Sequence, residues 1–214
     1  MPSEPLELGI LSHIWRYPVK SLRAEPLATV AVGADGLDGD RRRALVVTAS
    51  DHPRSGKPYR GKEDERLHRF ERSVEAVGAA AQRGVQLEER ADGPHFDAAP
   101  VSLLLDAWLG DLEALLALSL DPLRFRPNLY VRTSGAVPRE PVLVGATIEV
   151  ASVRLRVIEP TIRCVTTTYD IETSEPNPDV LQTLARQRAA VMGVYCTILR
   201  SGDIAVGARV NAYR

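Results

Sequence analysis

Cysteine is scarce in this chain: Cys164 and Cys196 are the only two in 214 residues, too few and too far apart for a disulfide framework or a cysteine-based zinc site. Aromatic residues make up only 5%, and His13, His52, His68 and His95 are scattered without ligand-like spacing. No HExxH, GxGxxG or Walker pattern occurs, which removes the commonest signatures of zinc hydrolases and nucleotide enzymes. An excess of either charge is missing too. With 27 Lys and Arg against 28 Asp and Glu, no global field draws in nucleic acid or an anionic membrane, so any anion site must be local. No apolar run reaches membrane-spanning length, and the acidic start MPSEPLELGILSHIW lacks a basic leader region. The expected setting is the cytoplasm, with no membrane and no nucleic-acid partner.

A hydrophobic content of 44% is enough to build a sizeable core. Short runs rich in Val, Ile and Leu (LGILSHIW, LATVAVGADGL, RRALVVT) open the chain, and β character returns in LRFRPNLYVRT, in the stretch from Ala146 to Asp170, and in GVYCTIL and DIAVGARVNAY. Between them, Leu67, Phe70, Val74 and Val77 recur at helical spacing from Glu63 to about Gln82, with Gly84 as a stop. A second helix is expected over roughly Ser102 to Leu118, broken at Gly110 and restarted on Asp111, with Leu112, Leu115 and Leu116 facing inward. A third starts at Asn177 as N-cap with Pro178 in the first turn, burying Leu181 and Leu184. The strands lie too close in sequence for βαβ crossovers. An α+β fold follows, built on a mainly antiparallel β-barrel with inserted helices: an N-terminal β region to about residue 60, a helical region over 61–120 and the core barrel over 121–214, all in one integrated unit.

Five clusters carry chemistry. Cys164 lies in EPTIRCVTTTYD, between Arg163 and a threonine run. A lone strand cysteine is usually an apolar core residue, but positive charge beside a sulfur favours the thiolate, the form that attacks or binds metal. Cys196, in GVYCTIL, reads as core. The turn RYPVKSL gathers Lys20, Ser21 and loop amides into an anion cradle, against the plainer reading of a solvated lysine. In DGLDGDRRR, strand alternation would put Arg41 and Arg43 on one face and Arg42 on the other; in RFRPN it would align Arg124, Arg126 and Asn128. The Pro/Gly/basic loop over 50–62 offers Lys57, Tyr59 and Arg60 as pocket-bordering candidates. Basic clusters beside one soft sulfur suggest a multiply charged ligand and a metal such as zinc, copper or molybdenum, whose remaining ligands would come from a cofactor.

Taken in order, YPVKS, GDRRRALVV, RFRPNLYV, RCVTTTYDIET and GVYCTILRSGDIAVGARV resemble the MOSC family, named for the C-terminal domain of molybdenum cofactor sulfurases, and most of all its amidoxime-reducing branch. The resemblance implies a β-barrel that binds the molybdenum–molybdopterin cofactor. Cys164 would be metal ligand and catalytic centre, with Lys20, Ser21, Arg41, Arg126 and Asn128 holding pterin and phosphate and Arg163 beside them. Ile162 stands where relatives can offer Ser, so that hydrogen bond to the cofactor would be either absent or supplied by Thr161. Asp170 falls at the acidic position of the family's Asp-Pro-x-Thr-Gly loop, shaping the entrance, although Ile171 and Ser174 replace its Pro and Gly.

The implied activity is a two-electron reduction of a small N-hydroxylated substrate. No four-cysteine cluster occurs, so electrons would come from a separate ferredoxin-like or cytochrome b5-like donor with its reductase. The family is also associated, at family level only, with pyridoxal phosphate binding. The other reading is a non-redox carrier that hands molybdopterin or a cysteine-bound sulfur to another enzyme. A third keeps the fold without the cofactor, the arginines then holding some other phosphate ligand.

Overall fold

The computed structural model describes residues 4–69, 78, 84–90 and 93–214. In chain order the strands are β1 (Leu6–Arg16), β2 (Glu25–Leu27), β3 (Thr29–Gly33), β4 (Gly36–Leu37), β5 (Arg43–Val47), β6 (Val85–Glu89), β7 (Val101–Leu105), β8 (Leu129–Thr133), β9 (Thr147–Val150), β10 (Val153–Ile162), β11 (Val191–Arg200), β12 (Gly202–Ala205) and β13 (Arg209–Tyr213). Two α-helices join them among the described residues, α1 (Asp106–Leu116) and α2 (Pro178–Arg188). Strands pair in the order β13-β9-β10-β11-β7-β8-β1, and β1 pairs back onto β13, which closes a seven-stranded barrel with β2 appended to β1. Every pairing around the barrel is antiparallel except β7 with β8. The barrel also takes β1 and β7 from before residue 121.

Register shifts interrupt β1 between Glu7 and Gly9, and again between Leu11 and His13, giving the long strand the curvature that closure requires. At Gly9 the approach to β8 is so close that a Cβ would fall 2.0 Å from the Arg132 carbonyl oxygen, which only glycine permits. The barrel interior and its helical cover form one core, with Leu8, Leu11, Val101, Leu105, Trp108, Phe125, Ile148, Val194 and Cys196 among its buried residues. Each large side chain sealed there contributes roughly 1.5–3 kcal/mol through loss of apolar surface from water. A second, smaller core lies apart, made by Val19, Leu22, Leu45, Val47, Tyr59, Leu67 and Val85 around the β5–β6 pair.

Two sequence expectations change here. The segment from Ser102 is not one interrupted helix: Val101–Leu105 is a strand buried at all five residues, and α1 then runs unbroken through Gly110. A short apolar run fits a buried strand as well as a helical face, and the barrel interior decides between them. Leu112 is buried, whereas Leu115 is 54% exposed, and Asp111 pairs with Arg188 instead of restarting the helix. Of the helix expected from Glu63 to Gln82, the described residues give a 3-10 turn, Glu65–Arg69; Phe70, Val74 and Val77 lie outside the described residues. The cap at Asn177 forms as the residue types dictate, its side chain accepting from Asp179 N at 3.1 Å with Pro178 in the first turn. Val180, Leu184 and Arg188 are the buried residues of α2, while Leu181 is only partly covered.

α2 is tied to the barrel through charge. The Arg188 guanidinium donates to both Glu140 carboxylate oxygens, at 2.8 and 3.0 Å, with both side chains at most 3% exposed. The backbone N–H of Gly193 also donates to Glu140, at 3.3 Å. Between Cys164 and α2, the chain forms a 3-10 turn, Val165–Thr168, in which the Thr167 and Thr168 hydroxyls donate to the carbonyls of Cys164 and Val165. Asp170 then organises the following loop: one carboxylate oxygen accepts from the Glu172 and Thr173 amides at 3.0 and 2.9 Å, and the other accepts from Arg124 at 2.7 Å. Amide donation from Thr173, opposed by burial and reinforced by Glu172 and Arg124, holds the Asp170 carboxyl below its ordinary range.

Glu140→Ala leaves Arg188 with only the exposed Asp111 and is expected to lower the unfolding free energy by about 3 kcal/mol or more, measured by urea denaturation. A loss under about 1 kcal/mol would mean that the pair behaves like a surface ion pair. A carboxyl held below its unfolded value contributes stability above that value and loses it as pH falls through the folded one. Asp170→Asn is therefore expected to melt lower than wild type at neutral pH and to close that gap below about pH 4, as followed by thermal unfolding. A gap that stays constant down to the acid limit would rule out the charge as its source.

Candidate functional site

A cavity of about 330 Å³ opens where the two cores meet. The barrel contributes Ser102, Arg124, Arg126, Ile162, Arg163, Cys164 and Tyr195, and the second core contributes Lys20, Ser21, Arg60, Gly61 and Lys62. Arg41 and Asp97 complete the charged lining.

Cys164 sits just past the end of β10, at the entry to the 3-10 turn and not within the strand. Its thiol is half-buried and lies 3.2 Å from the Thr166 hydroxyl. Arg163 locks the preceding residue: Nε donates to the Met192 carbonyl and Nη1 to the Phe125 carbonyl, both at 2.7 Å. Burial brings its guanidinium down to about 10, so it remains charged at neutral pH. A Cβ on Gly193 would come 3.1 Å from this guanidinium and 2.8 Å from the Leu103 carbonyl oxygen, so the glycine keeps the space that Arg163 needs. Cys196, by contrast, is fully buried, and burial pushes its thiol up to about 12.

Tyr17 forms the centre of the cationic wall. Its buried ring lies 4.2 Å from the Arg126 guanidinium and 4.7 Å from that of Arg41, and its hydroxyl donates to the Pro127 carbonyl at 3.1 Å. Burial pushes that hydroxyl up to about 12 against the opposing pull of Arg126 and Arg41. The ring thus attracts two largely buried cations at once. Arg41 also pairs with the buried Asp40, and donates to Asn128 Oδ1 at 3.2 Å. Burial lowers the Arg126 guanidinium, an effect to which the neighbouring Arg41 adds.

The second core positions the other wall. Val19 and Leu22, both buried, flank Lys20 and Ser21 and turn them toward the cavity, with Ser21 at φ 70°. The loop over 50–62 folds back along β5, with the Tyr59 amide donating to the Leu45 carbonyl at 2.6 Å and the Val47 amide to the Lys57 carbonyl at 3.1 Å. Tyr59 is buried beneath it and Arg60 is held by Glu63, so Arg60–Lys62 forms a fixed wall.

The sequence-predicted residues therefore separate. Lys20, Ser21, Arg41, Arg126, Arg163 and Cys164 come together in the cavity. Asn128 and Thr161 lie behind it, each 1% exposed and outside the lining. Asn128 Oδ1 accepts from the Ser102 amide and hydroxyl, both at 3.1 Å, while its Nδ2 donates to the Trp15 carbonyl, so it braces the wall. Ile162, not Thr161, faces the cavity, and Ile162 is 75% exposed. The alternation expected for the arginines does not form. Arg41 occupies a turn at φ 49° before β5, and Arg126 lies at φ 48° after the 3-10 turn Pro122–Phe125, because Asp40 and Tyr17 fold the first segment and Asp121 caps the second. Arg42 and Arg43 do not line the cavity, nor do Lys57 and Tyr59, whereas Arg60 does. Asp97 enters without any sequence motif to announce it, while Lys62 and Tyr195 come from the 50–62 loop and GVYCTIL, neither of them named there as a site residue.

Comparison with known proteins supplies the family. Residues 90–211, more than half of the chain, match the MOSC domain. A 120-residue stretch is 31% identical to mitochondrial amidoxime-reducing component 1 of Danio rerio, covering 52% of this chain and 36% of that protein. The fold is similar to that of the YuaD protein from Bacillus subtilis, with a TM-score of 0.62 at 15% identity over 100% of this chain and 98% of that one. It is also similar to a solved hypothetical protein, with a TM-score of 0.52 at 12% identity over 98% and 69% of the two chains. A closed barrel with a cysteine at the mouth of a basic cavity, and a domain match across most of that barrel, assign the chain to the MOSC family.

Proposed function

We propose that this protein binds the molybdenum–molybdopterin cofactor through Cys164 and reduces small N-hydroxylated compounds. The observation that carries the reading is a half-exposed thiol lining a cavity that also presents Lys20, Arg41, Arg124 and Arg126. Among the described residues no cluster of His, Cys, Asp or Glu could hold a metal ion unaided, so the donor set fits a metal that arrives with its own sulfur ligands and an anionic tail. Family membership and the similarity to an amidoxime-reducing protein support the same choice.

Cys164 would ligate the metal as thiolate, with the Thr166 hydroxyl turned to donate to its sulfur. Lys20, Ser21 and Arg126 would hold the phosphate and pterin, and Arg41, beside the same Tyr17 ring as Arg126, would add charge. Asn128 acts one layer back, fixing Arg41, while Arg163 in the lining holds the backbone beside Cys164. When bound, the cofactor supplies a two-electron reduction in which the N–O oxygen leaves as water with two protons. The chain supplies the orientation, the neutralising charge and an opening beside Arg60, Lys62 and Ile162 for the substrate. With two cysteines, these 214 residues cannot themselves hold a four-cysteine iron–sulfur cluster, so the electrons would come from a donor outside them.

The test is molybdenum and pterin content after expression in a cofactor-producing host, followed by reduction of an amidoxime with a supplied chemical reductant. Cys164→Ala is expected to lose at least about 90% of the molybdenum, since the sole protein ligand is gone. Cys196→Ala is expected to keep the metal and cost only about 1–2 kcal/mol of packing. Equal metal loss in both variants would sink the assignment. Wild type that holds stoichiometric cofactor but reduces no N–O substrate would favour the carrier reading. As a separate check, iodoacetamide should label the native protein once, at Cys164, because the fully buried Cys196 is sealed from reagent; labelling of Cys196 before unfolding would contradict that burial.

A further inference from the structure

Two of the carboxylates that pair with the cavity's cations differ in kind. Asp40 is 3% exposed, pairs with Arg41 and accepts from the Tyr17 amide at 2.7 Å, which makes it a fixed part of the wall. Asp97 lies on an irregular segment between β6 and β7, with a side chain 73% exposed, and yet its carboxylate reaches in to pair with Lys20, whose own side chain is only 13% exposed. Among the described residues it is the one carboxylate in the lining. Besides Lys20, it acts electrostatically on Arg41, Arg126 and Arg60. Its carboxylate thus lies within the electrostatic reach of four cations, a place that also attracts an incoming anion.

We propose that Asp97 is an internal stand-in for the ligand's phosphate: it neutralises Lys20 in the empty pocket and is displaced from it by a phosphate-bearing ligand. The inference rests on the reading of this cavity as an anion site, but not on molybdenum or on turnover. Two features make the exchange feasible. A carboxylate exposed on a loop can swing into water at little solvation cost, as the buried Asp40 cannot. A phosphate dianion offers Lys20 more charge and more acceptor oxygens than a single carboxylate, so it prevails, whereas chloride or a monocarboxylate has little advantage over the group already present. Asp97 therefore sets the charge a ligand must carry to enter, which makes it a specificity-determining residue.

The experiment is isothermal titration of the full chain, purified from cells unable to make the pterin cofactor, with inorganic phosphate and with acetate. Asp97→Asn removes the competing charge and is expected to tighten phosphate binding by about fivefold to tenfold, and to make acetate binding measurable where wild type shows none. In a Lys20→Met background the same Asp97→Asn change should have less than about a twofold effect, because the cation being contested is gone. Weaker or unchanged phosphate binding in Asp97→Asn would overturn the proposal, as would an equal gain with and without Lys20. Phosphate binding in neither protein would overturn it together with the anion-site reading. Normal exchange in a protein that never retains molybdenum would leave the exchange standing and remove only the cofactor.

Discussion

Everything in this molecule depends on the closure of the barrel by β1. That strand takes hydrogen bonds from β8 on one side and β13 on the other, so the first strand of the chain lies between the last and one from its middle. Closure leaves no open sheet edge among the seven strands and seals a continuous apolar interior. It also carries the chain directly from Arg16 into Tyr17, which places that ring against both Arg41 and Arg126. The domain match begins at residue 90, yet the barrel it describes is completed only by residues far upstream.

The site follows from that arrangement and from the way its charges are balanced. Seven cations line one cavity, and left uncompensated they would repel one another at short range. The chain handles most of them in different ways: Asp40 for Arg41, Asp170 for Arg124, main-chain carbonyls for Arg163, Glu63 for Arg60 and an aromatic face for Arg126. Each solution fixes one side chain in place. The result is a preformed cradle whose geometry costs a ligand little to adopt.

Much of this was legible from residue types alone. The α+β barrel, the cap at Asn177 and the core role of Cys196 follow from strand density, a Pro after an Asn, and an unbroken apolar context. The position of Cys164 in a basic cavity was foreshadowed by the charges flanking it. Other features were not accessible by such means. Val101–Leu105 has no period that separates strand from helix, and only the barrel's demand for a further strand resolves it. Alternation failed for Arg41 and Arg126 because both adopt left-handed backbone conformations, which period-two reasoning does not contain. Asn128 and Thr161 show the limit of carrying a motif residue by residue, since a side chain within a motif can point inward, as both do, and Asn128 there braces its neighbours. Asp97 carried no signal at all: an acidic residue between Gly93 and Pro100 reads as an ordinary solvated loop.

The cavity lies at the seam between two separately packed cores, and this divides the work of the site between two parts of the chain. The sulfur and its bracing arginine belong to the barrel, while Arg60 and Lys62 ride on the smaller cluster around Tyr59 and Leu67. A substitution packed into the small cluster bears on that wall without entering the barrel's interior. The fold thus hangs the two sides of one cavity on separate cores, an arrangement in which one side can be recut while the other keeps its packing.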